Sequence, residues 1–317
     1  MSAIFFFFIG LLLLYFGGNI LVKGSVSFAL RLSISTLVVG MTVVSFATSA
    51  PEILVSIGAA IRGHTDIVFG NVIGSNIANI ALVLGIGAAL FRFKISLQTR
   101  KISFPFLFLC TILLGIILYF FNGIPVYIGF LFVLLLIIFI AILIRNSRKE
   151  NLKASNENNS LLDKKTMSLY KSISFIIIGV VLLKFGADYF VEGAISLAKL
   201  FNVSDRVISV TIIAIGTSIP ELATTVIAAI RKEESLAVGN LLGSNIFNIL
   251  AVLGLTALIK DIRLLDYNLL RIDYVLMLAI TILLGIFIYF FTEKRISRKE
   301  GFILLLVYLI YIIYTIK

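Results

Sequence analysis

Apolar residues occur along this chain in stretches of about 20, separated by shorter polar segments. As an α-helix, a stretch of that length crosses the ~30 Å hydrocarbon core of a bilayer. The pattern therefore predicts an all-α integral membrane protein with ten spanning helices. Their approximate ranges are 3–22, 36–61, 67–91, 102–121, 124–144, 174–198, 207–231, 236–259, 274–291 and 301–316.

Composition supports a membrane protein and narrows its partners. Hydrophobic residues make up 60% of the 317 positions, more than the half that is usual for soluble domains. The first stretch lacks a basic leader region and a small-residue cleavage site, which favours a retained span. A single cysteine and a single histidine exclude an internal disulfide and a cysteine–histidine metal cluster. The bilayer is the expected partner, with no nucleic acid and no cofactor.

The distribution of basic residues predicts the orientation in the cell membrane. The longest polar segment, 145–171, is rich in Asn, Ser, Lys and Arg and is predicted to be a flexible loop. Connections on the side of this loop carry 19 of the 27 lysines and arginines, whereas the other side carries 7. Because basic loops stay inside, the loop is predicted to be cytoplasmic and both termini extracellular.

The two halves of the chain repeat each other at a constant offset, so that position 70 corresponds to position 239. The segment "GNVIGSNIANIALVLG" at 70–85 matches "GNLLGSNIFNILAVLG" at 239–254, with 11 of 16 positions identical. Polar residues at a fixed offset indicate a duplication rather than a chance match between apolar stretches.

Each repeat holds five predicted spans, an odd number, so the second copy enters the membrane from the opposite side. The predicted architecture is therefore two inverted-topology repeats, which is typical of transporters with a site near the membrane midplane. The predicted divisions are a first repeat at 1–144 with its motif at about 36–91, the loop at 145–171, and a second repeat at 172–317 with its motif at about 207–259.

Two glutamates lie deep within predicted spans, in the matching stretches "ATSAPE" and "GTSIPE". A charged residue at that depth costs on the order of 2.5–3.5 kcal/mol, so Glu52 and Glu221 are expected to face a polar partner or cavity. Pro51 and Pro220 each precede a glutamate and are predicted to kink the helix, because proline lacks an N–H. Freed carbonyls at membrane depth need a donor or a cation.

Further oxygen-bearing side chains accompany the glutamates. Thr-Ser pairs precede both prolines, and spans 3 and 8 each present a serine and an asparagine four residues apart, on one helix face. Carboxylate, hydroxyl, amide and carbonyl oxygens are ligands for Ca²⁺ or Na⁺ rather than for zinc or copper. The alternative is a helix-bending motif with a protonated glutamate, which the occurrence of two copies in inverted halves disfavours.

These doubled motifs resemble the two α-repeats of the Na⁺/Ca²⁺ exchanger family within the cation/Ca²⁺ antiporter superfamily. The resemblance covers the whole ten-span plan, and the short loop is similar to that of prokaryotic members without calcium-sensing domains. It implies a Ca²⁺ site formed by Glu52, Glu221 and the carbonyls of Thr48 and Thr217. It also implies Na⁺ sites drawn from Ser45, Thr48, Ser49, Glu52, Ser75, Asn79, Ala214, Thr217, Ser218, Glu221, Ser244 and Asn248.

The chain departs from the family pattern at two positions. Ala47 stands where the family usually has glycine before the first Thr-Ser pair. Asn248 stands where some prokaryotic exchangers carry an aspartate, which removes one titratable group and leaves the ion stoichiometry and proton competition open.

The predicted function is secondary active Na⁺/Ca²⁺ antiport by a monomer, with spans 1 and 6 sliding as a pair. A Ca²⁺/H⁺ antiporter, a K⁺-dependent exchanger and, from another class, a cation channel are the alternatives. An intramembrane hydrolase is disfavoured because the sole aspartate within a span is Asp188. Lys184 and Asp188 lie on one face of span 6 and are expected to form a structural pair or to reach the interface.

Overall fold

A computed structural model describes residues 2–157, 167–201, 203, 208, 212, 214–290 and 295–316. The structure is almost entirely helical. The helices are α1 (Ser2–Arg31), α2 (Thr36–Thr48), α3 (Ala50–Ile61), α4 (Thr65–Phe91), α5 (Thr99–Phe121), α6 (Val126–Glu157), α7 (Leu169–Leu200), α8 (Ile219–Ile230), α9 (Glu234–Ile259), α10 (Leu269–Phe290) and α11 (Arg298–Ile316). A short helical turn, Ala214–Gly216, precedes α8.

Membrane-spanning character follows from the length and apolar composition of these helices. Within the described residues, seven helices are long and apolar enough to cross a bilayer, and the bent pair α2–α3 makes up to eight. The seven correspond to predicted spans 1, 3, 4, 5, 6, 8 and 9, and the bent pair to span 2. Span 7 at 207–231 lies partly outside the described residues, and α11 occupies span 10.

Several helices extend beyond their predicted limits. The prediction of a flexible loop beginning at residue 145 is wrong at its first part, because α6 continues to Glu157. Residues 145–157 contain no glycine or proline and several Arg, Lys and Glu residues, which have high helix propensity. The rest of that loop at 158–166 lies outside the described residues. Likewise α1 continues past residue 22 to Arg31.

Burial separates central helices from peripheral ones. In α4 and α9, 72% and 83% of the spanning residues are buried, compared with 28% in α1, α6 and α7. Helices α4 and α9 therefore form the centre of the molecule. Both contain a π-helical segment, at Ala78–Leu84 in α4 and at Asn248–Val252 in α9.

Helices α1 and α7 pack closely against each other along their length. A Cβ atom on Gly10 would lie 2.4 Å from the backbone nitrogen of Phe190, so only glycine allows this approach. Gly179 is the repeat counterpart of Gly10, and Leu21 is the counterpart of Phe190. A Cβ on Gly179 would lie 2.7 Å from the backbone nitrogen of Leu21. The two contacts are thus exchanged between the halves of the chain.

Two short antiparallel strand pairs connect the two halves of the chain, and each strand lies between two of the long helices. The strands are β1 (Phe93–Lys94), β2 (Gly123–Ile124), β3 (Ile262–Arg263) and β4 (Arg295–Ile296). Strand β1 pairs with β4, and β2 pairs with β3. Strand β3 is the repeat counterpart of β1, and each half contributes one strand to each pair.

Candidate cation site

The first glutamate lies just beyond a break in a spanning helix. Helix α2 ends at Thr48, and α3 starts at Ala50 with a 43° change of direction. Pro51 occupies the first turn of α3 rather than a helix interior, and at that place its missing N–H costs little. Glu52 also lies in this first turn, where the helix dipole favours a negative charge. The predicted kink lies at Ser49, where the helix changes direction while the Ser49 N–H still bonds to the Ser45 carbonyl.

The second glutamate has the same local setting. The turn Ala214–Gly216 is followed by non-helical Thr217 and Ser218, and α8 begins at Ile219 with Pro220 and Glu221 in its first turn. Each break leaves carbonyl groups at the end of one helical segment facing the start of the next. Discontinuous spanning helices of this kind bring helix ends and unwound carbonyls to an ion at the membrane midplane.

Both carboxyl groups are buried and lack ion-pair partners. Glu52 and Glu221 are each 1% exposed. Within the described part of the chain, neither glutamate makes a salt bridge. Buried charges in proteins are normally paired, coordinate a metal ion or become neutral by protonation, so a bound cation is one of the two ways in which these carboxyl groups can be accommodated.

Other buried oxygens around the glutamates also lack hydrogen-bond partners. These atoms come in matching pairs from the two halves: Glu52 Oε2 with both Glu221 carboxylate oxygens, Ser49 Oγ with Ser218 Oγ, and Asn79 Oδ1 with Asn248 Oδ1. Orphaned buried polar atoms are rare in native proteins and ask for an explanation such as a bound ion. Among the described residues, no three His, Cys, Asp or Glu side chains lie close enough together to hold a metal ion. An ion here would therefore use mixed oxygen ligands.

Helices α4 and α9 bring their polar residues to the broken helices. Ser75 Oγ lies 3.5 Å from Thr217 Oγ1, and Ser244 Oγ lies 3.4 Å from Thr48 Oγ1. Each central helix thus contacts the Thr-Ser motif of the opposite half. Asn248 donates from Nδ2 to Asn76 Oδ1 at 3.3 Å, which leaves its Oδ1 free to act as a ligand.

The two predicted carbonyl ligands outside the motifs remain predictions. The Ser45 carbonyl accepts the Ser49 N–H at 2.9 Å, while the Ser45 hydroxyl donates to the Gly40 and Asn240 carbonyls at 2.8 and 2.9 Å. Ala214 starts the helical turn that precedes Thr217. The Ser45 carbonyl also accepts from the Thr48 hydroxyl at 3.4 Å, so an ion at this carbonyl would have to displace that hydrogen bond.

Three asparagines contribute to the site without having been predicted as site residues. Asn240 Oδ1 accepts from the Thr48 hydroxyl at 3.3 Å. Asn71 donates to the Glu52 carbonyl at 3.2 Å and to Ser56 Oγ at 2.9 Å. Asn76 accepts from Asn248. A signal for them exists in the repeat, because Asn71 aligns with Asn240 and Asn76 with Asn245 inside the identical "GN…GSN" stretch.

We call the cluster of oxygens from Glu52, Glu221, the two Thr-Ser pairs and the Ser and Asn residues of α4 and α9 the cage. A cavity of about 540 Å³ lies on one side of it. Pro51, Gly216, Thr217 and Pro220 are among its lining residues, and α7 contributes its polar ones, Lys184, Asp188, Glu192 and Ser196, beside apolar residues of the same helix. Lys184 and Asp188 form the predicted pair, with Nζ and Oδ2 2.6 Å apart. Thr217 is partly exposed to this space, whereas Thr48 is 2% exposed.

Comparison with known proteins explains this arrangement. The model of the family described as sodium/calcium exchanger protein matches residues 2–145 and 171–317, which together make up most of the chain. The chain belongs to the sodium/calcium exchanger family. This is a family of transporters, in line with a chain that moves ions rather than converting a substrate.

Individual relatives match over nearly their whole length. The CaxA protein of Alkalimonas amylolytica is 37% identical over 98% of this chain and 97% of its own. The sodium/calcium exchanger MaX1 of Methanosarcina acetivorans is 33% identical over 96% of both chains. A solved structure of the sodium-calcium exchanger NCX_Mj, soaked with Na⁺ and Ca²⁺, superposes with a TM-score of 0.81 at 30% identity, covering 98% of each chain. The resemblance predicted from the twin motifs is confirmed.

Proposed function

We propose that this protein is a secondary active antiporter that exchanges Na⁺ for Ca²⁺ across the cell membrane by alternating access. The observation that carries the proposal is the pair of buried glutamates, Glu52 and Glu221, which lie at matching helix breaks and have no cationic partner among the described residues. One Ca²⁺ neutralises their two charges, and so do two Na⁺.

The surrounding oxygens match the needs of Ca²⁺. This ion takes six to eight oxygen ligands at about 2.3–2.6 Å in a flexible geometry. The proposed Ca²⁺ ligands are Glu52, Glu221 and the carbonyls of Thr48 and Thr217. The proposed Na⁺ ligands add Ser45, Ser49, Ser75, Asn79, Ala214, Ser218, Ser244 and Asn248 to these four residues. The unpartnered oxygens of Ser49, Ser218, Asn79 and Asn248 support this set. We propose no cofactor beyond the transported ions.

The proposed architecture is ten spanning helices in two inverted repeats of five. Three exchanged contacts support a two-fold relation between the halves: strand β1 with β4 against β3 with β2, Gly10 with Phe190 against Gly179 with Leu21, and α4 with α11 against α9 with α6. With basic loops inside, both termini are extracellular. The cavity beside α7 then opens to the outside, and this conformer is outward-facing.

Competition within one cage provides the coupling. Na⁺ and Ca²⁺ both require Glu52 and Glu221, so binding of one ion species expels the other. An empty cage holds two uncompensated charges that resist passage along an apolar barrier, so the loaded forms alternate. The closely packed α1–α7 pair slides past the central helices as a unit. A monomer suffices, because one chain supplies both halves of the cage.

The test is counter-transport in proteoliposomes loaded with ⁴⁵Ca²⁺, with Na⁺, H⁺ and K⁺ gradients imposed one at a time. An inward Na⁺ gradient is expected to drive Ca²⁺ efflux, and a pH gradient at equal Na⁺ is expected to drive none. Flux driven by the pH gradient alone would instead establish a Ca²⁺/H⁺ antiporter. A requirement for K⁺ would establish the K⁺-dependent variant, and single-channel currents would refute antiport.

A further inference from the structure

A lysine lines the cavity that reaches the two prolines and Thr217 of the twin motifs. Lys184 lines this cavity together with Pro51 and Pro220, which are the sequence neighbours of Glu52 and Glu221. Its side chain is 50% exposed and forms an ion pair with Asp188, one helical turn later, at 2.6 Å. Within the described residues this is the only salt bridge.

The chemistry of an ammonium group makes its position important. Lysine carries a compact charge on a flexible four-carbon stem, and the cage beside it holds two carboxylates without a cationic partner. An ammonium that entered the cage would satisfy part of the same charge that Ca²⁺ and Na⁺ neutralise. Because it is tethered to α7, its effective concentration at the site would be in the millimolar range typical of short links.

We propose that Asp188 holds Lys184 away from the cation site and so prevents the lysine from acting as a tethered competitor of Ca²⁺ and Na⁺. Asp188 is thus a positioning residue, acting through Lys184 rather than on the ion. This inference rests on the proposed function, because it requires that the two glutamates bind the transported cations.

The chain offers a matched control for the charge of Asp188. Glu192 lies one turn further along the same helix face and lines the same cavity, and within the described residues it makes no ion pair. Removing either carboxylate changes the field in the cavity by one unit of charge. Only the removal of Asp188 releases the lysine, so the two substitutions separate a field effect from competition.

The experiment is a Ca²⁺ titration of purified full-length protein in nanodiscs, by calorimetry in Na⁺-free buffer at fixed ionic strength. If released Lys184 occupies the cage in about nine of ten molecules, Asp188→Asn raises the apparent Kd for Ca²⁺ about tenfold, because apparent affinity falls with the competent fraction. Glu192→Gln is expected to change the Kd less than about twofold. The double variant Lys184→Met/Asp188→Asn is expected to restore the wild-type Kd.

Three results would overturn the inference: an unchanged Kd in Asp188→Asn, an equal loss in Glu192→Gln, or a double variant that stays weak. Asp188→Ala serves as a second release variant in case the first does not yield folded protein. The Glu52→Gln variant separates failure of this inference from failure of the proposed function. If wild-type protein binds Ca²⁺ and Glu52→Gln does not, then equal behaviour of the Asp188 and Glu192 variants refutes this inference alone. If Glu52→Gln binds as wild type, the proposed function fails.

Discussion

The two Thr-Ser-x-Pro-Glu motifs have almost the same sequence but different surroundings. Thr48 is buried, and its hydroxyl lies within 3.3–3.4 Å of oxygens from Asn240, Ser244 and Ser45. Thr217, its equivalent, is partly exposed, lines the cavity and lies 3.5 Å from Ser75. A cage of two near-identical elements thus has one closed and one open side.

This difference indicates how such a molecule alternates. If the halves are related by a two-fold axis in the membrane plane, the opposite state is obtained by exchanging their environments. Thr217 would then become enclosed by Ser75 and Asn71, and Thr48 would become accessible. The difference in exposure between Thr48 and Thr217 therefore depends on the conformational state, whereas the residues that both motifs share belong to the proposed ion site.

The largest expected effect comes from removing either carboxylate, for which the two halves should be equivalent. Removing one carboxylate breaks its buried contact with the bound cation. Loss of one partner of a buried ion pair costs roughly 3–5 kcal/mol, which corresponds to about a hundredfold or more in affinity. Glu52→Gln and Glu221→Gln are each expected to abolish Na⁺-driven ⁴⁵Ca²⁺ flux. Glu300→Gln is the control, since Glu300 in α11 is buried but bonds to Ser297. Full flux in one of the first two variants would break the equivalence.

Accessibility of the two threonines tests the difference itself. In a Cys110→Ser background, Thr217→Cys is expected to react with a small external thiol reagent at least about tenfold faster than Thr48→Cys, because residue 217 lines the cavity that we propose opens outside, whereas the opposite state exposes residue 48 to the cytoplasmic side. Labelling kinetics followed by mass spectrometry provide the measurement. Equal rates would show that the closed and open sides are not distinct in the membrane.

Asn240 and Asn71 occupy equivalent positions but form different contacts. Asn240 contacts the Thr48 hydroxyl, whereas Asn71 contacts the Glu52 carbonyl and Ser56. Asn240→Leu removes one acceptor of the Thr48 hydroxyl, which keeps the Ser45 carbonyl and Ser244 Oγ nearby, so the cost is that of one hydrogen bond, about 0.5–1.5 kcal/mol. We expect this variant to weaken the closed side and to slow external labelling at Thr217→Cys, a reporter that keeps the Thr48 hydroxyl. Asn71→Leu removes donors to Glu52 and Ser56 and leaves the closed side intact. If both variants alter labelling equally, Asn240 has no special role in closure.

The smallest expected effect concerns the serine hydroxyls. Ser49 and Ser218 are buried and their hydroxyls have no partner. Replacing each with alanine removes one proposed Na⁺ ligand, worth about 0.5–1.5 kcal/mol. The KM for Na⁺ should rise severalfold while the KM for Ca²⁺ changes less. A larger change for Ca²⁺ would reassign these hydroxyls to the Ca²⁺ site.

Much of the fold and the positions of the candidate site residues could be predicted from the sequence because both depend on repeated local signals, whereas the ligand roles of those residues remain predictions. Apolar stretches located the spans, and the fixed offset identified Glu52 and Glu221 as a pair. The exact break could not be located, because a Thr-Ser-x-Pro stretch is compatible with a kink at the proline or a break at Ser49. Helix α6 beyond residue 144 was missed because polarity was taken as evidence for a loop, although Arg, Lys and Glu favour helices.

The side-chain contacts of Asn71 and Asn240 could not be predicted, because they depend on tertiary packing. Asn71 and Asn240 are identical in their local sequence, yet one amide contacts a carbonyl of its own half and the other a hydroxyl of the opposite half. Which contact forms depends on the conformational state of the whole molecule. No local pattern carries that information.

The most direct test of the central claim is the number of Ca²⁺ ions bound per chain. If Glu52 and Glu221 share one ion, equilibrium binding of ⁴⁵Ca²⁺ to purified protein in Na⁺-free buffer gives one high-affinity Ca²⁺ for wild type. The same measurement gives none for Glu52→Gln and none for Glu221→Gln. A wild-type protein that binds two ions, with each substitution removing one of them at unchanged affinity for the other, would contradict the account.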